Sequence, residues 1–428
     1  MKFIITEAFG PENIGSMALI ENAIKIARSI DKNCEITIFG VTIDGLKSTL
    51  VQKLSMENIE VFNDLFIFPN KSSKIKTITW GISTLASIMY LRTLLLFTKK
   101  PYRFICGRRK KIFEKVCNAD YIFCIGAERI NDIYYKTAYL SMEALDLFEK
   151  TGAKLIHLSL TIGPVFNKTT INKANKILNN SYGILVRDQK SYDLLNELKI
   201  TKPQTFNSYD IAILQDLLDK TEGEKLIKKF SLPESYICCS VIDWGFRKCE
   251  GPTRLEDYYR SMAETLDYTT EMYNIDVVVT PTVVGRYRID DVVAGRKMYK
   301  YVKNKNRVHL IEELLTPSEI SYVFSKSKFS IVTRMHAAIL CTGAGNRPII
   351  AINYLYKLRE YMKNIDFEDY SIDIDYCNTK DLKSFVDRMF ENYEENCLKL
   401  EKNINSMRNK LISDINTLFI SDLEEHKA

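Results

Sequence analysis

Short apolar runs alternate with longer amphipathic stretches along most of the chain. Met1–Ala8 has the apolar content of a strand, GPENIGS reads as a loop, and Met17–Ile30 repeats apolar residues at helical spacing. Cys34–Phe39 is the next expected strand and completes a βαβ opening. Further strands are expected at Asp120–Ile125, Lys154–Leu160 and Tyr182–Val186, separated by helices that include Tyr134–Thr151 and Lys190–Leu198. The alternation weakens between Pro203 and Pro233, where a charged helix, GEKLIKKFSL, intervenes. It then restarts. Strands are expected at Tyr236–Ile242, Asp276–Pro281 and Arg307–Ile311, with helices at Leu255–Tyr273, Asp290–Val302 and Pro317–Ser325. The stretch from Phe329 to Lys357 reads as strand, tight corner, helix, Gly-rich turn and second strand.

This pattern predicts an α/β protein with two Rossmann-like, doubly wound domains facing a cleft, a GT-B-like arrangement. The boundaries expected are 1–205 for the first domain, 206–235 for a linker region, 236–380 for the second domain and 381–428 for a charged helical tail. A length of 428 residues fits two cores better than one, and 46% apolar content is enough to build them. The net charge of +6 is small for this length and does not call for nucleic acid. Ten cysteines without C-x-x-C pairs suit a reducing, cytoplasmic location. The start, MKFIITEAFG, is a strand and not a signal peptide.

One segment changes the picture of a plain soluble protein. Trp80–Phe97 is apolar except for Arg92 and small hydroxyl residues, and is barely long enough to span a bilayer, which needs roughly 20 residues. The next stretch, TKKPYRFICGRRKKIFEK, holds eight basic residues and one acidic residue. An apolar helix followed by a basic collar fits peripheral contact with an anionic membrane at its inner face over segment 80–115. A buried helix followed by a solvated basic face fits the same pattern.

The corner TRMH carries the chemistry. In open α/β sheets ligands bind beyond the carboxyl ends of the strands, where helix N-termini attract anions. Arg334 adds a forked permanent cation, and His336 exchanges a proton near neutral pH. Together they suit a small anionic substrate that needs acid–base help. No G-x-G-x-x-G, P-loop or G-x-S-x-G is present, and no metal-ligand spacing stands out. Asp373 and Asp375 in YSIDIDY read as strand residues facing water, and His157 and His309 as core residues.

Around that corner the sequence resembles the polysaccharide pyruvyl transferases. Their second half reads as an apolar strand, R-[LM]-H, a small-residue helix, G-x-P, a strand and S-Y-x-x-K. Here Arg334, His336, Pro348, Tyr354 and Lys357 fall in register, with Asn353 in place of Ser. Glu319, Pro281, Asp290, Asp291 and the run CCSVIDW match further family features, as does ILVRDQKSYDLL with Arg187, Asp188 and Ser191. In the first half Asn13 and Gly15 match, but Ser16 and Met17 replace an acid pair, CIGAERIND replaces a Gly run, and Thr161 stands where Gly is common.

The resemblance implies transfer of a pyruvyl group from phosphoenolpyruvate to a sugar, with no cofactor beyond that co-substrate and no metal. The acceptor implied is a sugar or lipid-linked oligosaccharide of a cell-surface polysaccharide. His336 is then the acid–base group and Arg334 the donor clamp. Arg187, Lys357, Tyr354, Glu319, Asn13, Gly15, Asp290 and Asp291 are the expected substrate-binding residues. An ion pair with a neighbour also accounts for Arg187, and a helix N-terminal acid pair for Asp290 and Asp291. A nucleotide-sugar glycosyltransferase and a non-catalytic glycan-binding relative remain as alternatives.

Overall fold

The computed structural model describes residues 1–50, 58–67, 69, 73–126, 129–133, 135–245, 253–285 and 290–425. Parts of three expected features therefore lie outside the described residues: Tyr134, the dipeptide 127–128 of CIGAERIND, and 286–289 before Asp290. The chain forms two compact units. One comprises Met1–Pro11, Leu19–Ile211 and Leu411–Ala428, and the other Glu12–Ala18 and Ala212–Lys410. Residues 206–235, read as a linker, hold the end of a strand, a 3₁₀ turn at Ile211–Leu214 and a helix at Lys220–Lys229.

The first unit is built on a seven-stranded sheet. Its strands are β1 (Lys2–Ala8), β2 (Glu35–Gly40), β3 (Ile59–Asn63), β4 (Tyr121–Cys124), β5 (Lys154–Leu160), β6 (Gly183–Val186) and β7 (Gln204–Asn207). They lie in the order β3-β2-β1-β4-β5-β6-β7, and every neighbouring pair is parallel. The second unit holds β8 (Tyr236–Cys239), β9 (Asp276–Val279), β10 (Val308–Leu310), β11 (Ser330–Val332), β12 (Ile349–Asn353) and β13 (Ser371–Asp373). Their order is β10-β9-β8-β11-β12-β13, again all parallel. Both orders reverse beside the first strand of the unit, which is the doubly wound pattern with its switch point there.

The central strands YIFC, GILV and YICC are buried throughout, as parallel strands covered on both faces must be. The edge strands β3, β7 and β13 are only partly buried. That explains why neither IEVFN nor QTFN announces itself as a strand. The expected tail holds most of a helix at Thr379–Glu391 and a second, longer helix at Tyr393–Glu425, whose residues are divided between the two units. Leu400, Ile404, Met407, Leu411, Ile415 and Leu418 recur at three- and four-residue spacing and are all buried. In the first unit Phe419 meets Tyr121 edge-on, with ring centroids 5.1 Å apart.

His157 sits inside β5, fully enclosed, with Nε2 3.1 Å from the Ser181 hydroxyl. Ser181 donates its own proton to the Ile177 carbonyl, so His157 must donate from Nε2. Burial pushes this imidazole down to about 4 from an ordinary value of 6.5. The unfolded chain therefore takes up a proton below pH 6.5 that the folded one refuses until about 4. Stability should fall across that window by up to about 3 kcal/mol from this residue. Urea unfolding of His157→Gln should show a flatter pH dependence there than the wild type; parallel curves would refute the assignment.

Candidate functional site

Strand β11 is followed by Thr333, which is pinned from two sides. Its amide donates to the Ser240 hydroxyl at 3.2 Å and its own hydroxyl to the Ser240 carbonyl at 3.0 Å, while the Tyr258 hydroxyl lies 2.9 Å away. The backbone turns at Arg334 and enters the helix Met335–Thr342. Arg334 is the N-cap residue, yet its side chain does not cap. Ala338 closes the first turn on the Arg334 carbonyl at 3.1 Å. The amides of Met335, His336 and Ala337 precede that bond and have no acceptor within the helix. The corner is thus a fixed strand end followed by a helix start of positive partial charge.

The Arg334 side chain is held by Asp291. Nε donates to both carboxylate oxygens at 2.9 and 3.0 Å, and Nη2 donates at 2.6 Å. Asp291 also accepts from the Thr282 amide at 3.0 Å, the Thr282 hydroxyl at 3.1 Å and the Val283 amide at 2.9 Å. It is buried, and every bond aims it at one place. Burial works against the Arg334 charge, but Asp291 and the Tyr354 hydroxyl more than offset it and hold the guanidinium protonated. Asp290 has a separate task. It caps the helix Asp291–Tyr299 through the Val292 and Val293 amides and also accepts from Gly285. The acid pair thus stands at a helix N-terminus, as its alternative reading expected, with Asp290 the cap and Asp291 an orienting carboxylate.

The loop GPENIGS supplies the other wall. Asn13 pairs with Val283 in an antiparallel bridge, Ile14 donates to the Thr282 carbonyl at 2.9 Å, and Val284 donates to the Glu12 carbonyl at 2.9 Å. Asn13 Oδ1 accepts from the Ser16 amide at 3.1 Å. This lays Gly15 against His336: a Cβ added at Gly15 would stand 2.2 Å from Nδ1. Only glycine lets the imidazole occupy its place. Beyond β12, Tyr354 bonds to Arg334 and packs on Trp244 at 4.8 Å between ring centroids. Lys357 Nζ lies 5.9 Å above the Tyr354 ring. Of the expected residues, Asp291, Arg334 and Tyr354 are in direct contact, as are Gly15 and His336; Asn13 is tied to them through the Val283 backbone, and Lys357 adjoins Tyr354.

Two expected residues are engaged elsewhere. Arg187 belongs to the first unit and is buried with Asp210, Nη1 to carboxylate 2.6 Å, while its Nε donates to Thr161 at 2.6 Å. Asp188 of the same motif caps a helix, accepting from the Ser191 amide at 2.8 Å, and the Ser191 hydroxyl accepts from the Ile162 amide. This is the ion pair expected as the alternative to a substrate contact for Arg187, with Asp210 as its partner. Glu319 spends its carboxylate on a capping box, accepting from the Thr316 amide at 2.6 Å. Among the described residues, no group of three or more His, Cys, Asp or Glu side chains is arranged to hold a metal.

A second polar cluster escaped the sequence reading. Glu7, at the end of β1, is buried with φ 66°, accepts from the Gly126 amide at 3.3 Å and from the Ser141 hydroxyl, and lies near Arg129. Burial pushes the nearby Asp64 carboxyl up to about 7, against the pull of Arg129. Glu7 lies in the last residues of β1 and Asp64 just after β3, both at the carboxyl edge of the first sheet. Glu7 sits in an apolar run and Asp64 after an unremarked edge strand, so no local signal joined them.

A family model described as polysaccharide pyruvyl transferase matches residues 13–356. The amylovoran biosynthesis protein AmsJ of Erwinia amylovora is 22% identical over 312 residues, covering 71% of this chain and 74% of that protein. Solved structures of similar fold include Alr3699/HepE of Anabaena in complex with UDP-glucose, with TM-score 0.58 and 13% identity over 99% of this chain and 100% of that one. The UDP-GlcNAc 2-epimerase of Neisseria meningitidis gives TM-score 0.59 and 14% identity over 98% of this chain and 100% of that one. These likenesses place the α/β fold in the GT-B type. With the R-x-H corner, its orienting carboxylate and the glycine beside the imidazole all inside the matched region, the chain belongs to the polysaccharide pyruvyl transferase family, whose members are transferases of polysaccharide modification.

Proposed function

We propose that this protein moves a pyruvyl group from phosphoenolpyruvate onto two hydroxyls of one sugar in a cell-surface polysaccharide or its lipid-linked precursor. The observation that carries the reading is the corner itself. Within three residues it offers a helix N-terminus, a guanidinium aimed by a buried carboxylate, and an imidazole seated on Gly15. A trianionic enol phosphate needs all three kinds of group.

The chemistry balances with these parts. The methylene carbon of the donor gains a proton, and positive charge develops at the neighbouring carbon. A sugar hydroxyl attacks that carbon and loses its proton; the carbon–oxygen bond to phosphate breaks; a second hydroxyl then closes the ketal. One hydroxyl proton replaces the one given to the methylene group, and the other leaves with phosphate. We assign His336 to the proton transfers, a role worth about 10²–10⁴ in rate. Arg334 holds the donor's phosphate or carboxylate, with the helix amides and Lys357 in support. Because Asp291 neutralises much of the Arg334 charge, direction rather than bulk attraction is what Arg334 supplies. Asn13 and Tyr354 face the acceptor.

Calorimetry with phosphoenolpyruvate, in the presence of acceptor polysaccharide, should show saturable binding that Arg334→Ala abolishes. His336→Gln should keep that binding and lower phosphate release by about 10²–10⁴-fold. Tight binding of UDP-glucose with none of phosphoenolpyruvate would overturn the reading in favour of a glycosyltransferase.

Gly15→Ala should reproduce the His336→Gln loss of turnover while leaving the melting temperature near that of the wild type. Unchanged phosphate release would show that the ring position is immaterial. Asp291→Ala should lower stability in urea by about 3–5 kcal/mol, since it strands a buried guanidinium, and donor affinity with it. Asp290→Ala should lower stability by only about 1 kcal/mol and leave donor affinity intact. Equal effects of the two substitutions would contradict the division of labour between them.

A further inference from the structure

The helix Lys74–Phe97 in the first unit is apolar yet leaves many of its large side chains exposed. Among the described residues it is the one helix long and apolar enough, by length and composition, to cross a membrane. It does not stand clear of the protein, however. Thr84, Ile88 and Leu91 are buried. Arg92 donates twice to Glu143 at 2.7 and 2.8 Å and lies 3.6 Å from Asp146. Those two carboxylates are buried and also gather Lys173 and Lys176. This ionic cluster fastens one side of the helix to the body of the unit and rules out lipid all round it.

The opposite side carries a second apolar stripe. Ile75, Ile78, Ile82, Leu85, Met89 and Leu96 recur at intervals of three, four and seven, so they lie along one line of the helix. Each is 60–76% exposed. The basic run is joined to the end of this helix. The Tyr90 hydroxyl donates to the Phe104 carbonyl at 3.1 Å, and the Cys117 thiol to the Lys99 carbonyl at 3.2 Å. Phe97 and Phe104 are themselves exposed. Between Thr98 and Phe113 there are seven basic residues and no acidic one.

We propose that this helix lies in the plane of an anionic lipid surface, with the Ile75–Leu96 stripe among the acyl chains and the basic run against the headgroups. A single apolar line beside a one-signed basic segment is the arrangement that interfacial helices use. The charge selects the occupant. A second copy of the chain docked on the stripe would bring the seven basic residues of each copy into the same neighbourhood, whereas anionic headgroups complement them. Phe97 and Phe104 sit at the junction of stripe and collar, where aromatic rings partition to the interface.

The test is flotation of the full chain with vesicles of phosphatidylcholine alone or with phosphatidylglycerol added. The wild type should float with the phosphatidylglycerol vesicles and be released by alkaline carbonate. A variant with Ile78→Ser, Ile82→Ser, Leu85→Ser and Met89→Ser should stay in the aqueous fraction, with an unchanged circular dichroism spectrum because all four side chains are exposed. Lys99→Ser, Lys100→Ser, Lys110→Ser and Lys111→Ser should each weaken binding by about fivefold at low salt. Equal flotation of wild type and stripe variant would overturn the proposal. So would wild type that floats with neither vesicle, or that resists carbonate. A stripe-dependent dimer without lipid binding would overturn it too, by assigning the face to a second copy.

Discussion

The second unit turns on one buried ion pair. Asp291 accepts from two amides and a hydroxyl of the Thr282–Val283 segment and, on its remaining faces, from Arg334. That segment is the one to which the Glu12–Ala18 loop is clipped. One carboxylate therefore ties together the end of β9, the corner after β11 and, through the backbone of residues 282–284, the loop that carries Gly15. Such a pair adds little to stability compared with well-packed apolar residues, but removing one partner is expensive. Its value here is geometric. It fixes a long, rotamer-rich side chain beside the helix start, so the cation need not be ordered again when a ligand arrives.

Much of this was legible in the sequence. The central strands announced themselves as apolar runs, and the corner after β11 could be placed because strand, R-x-H and small-residue helix follow one another without interruption. What the sequence could not give was the partner of each charge. Arg187 and Asp210 are 23 positions apart, and nothing local joins them, so the ion pair expected as an alternative for Arg187 could not be given its partner. Glu319 lies three residues after Thr316, which is the spacing of a capping box; that signal was available and went unused. Asp290 and Asp291 are neighbours with different tasks because successive residues at a helix start point in different directions. The edge strands β3 and β7 were missed because strands covered on only part of their surface carry no continuous apolar run.

The first unit combines the same sheet logic with different surface chemistry. Its carboxyl edge holds the Glu7–Asp64–Arg129 cluster in place of an R-x-H corner, and burial keeps both acids inclined toward protonation. Its helix Lys74–Phe97 is apolar on two sides, one satisfied by the body of the unit and one left facing outward. Composition alone could not separate these sides; the positions of Thr84, Ile88 and Leu91 relative to the outer stripe do.

The contact between Gly15 and His336 has a consequence for how this sequence is free to change. The two positions lie at opposite ends of the chain's site region, yet no other amino acid fits at 15 while the ring stays where it is. They form a single unit of selection. A lineage that lost the imidazole would be released at once from the demand for glycine in its first loop, and drift there would be the inherited mark of an abandoned chemistry.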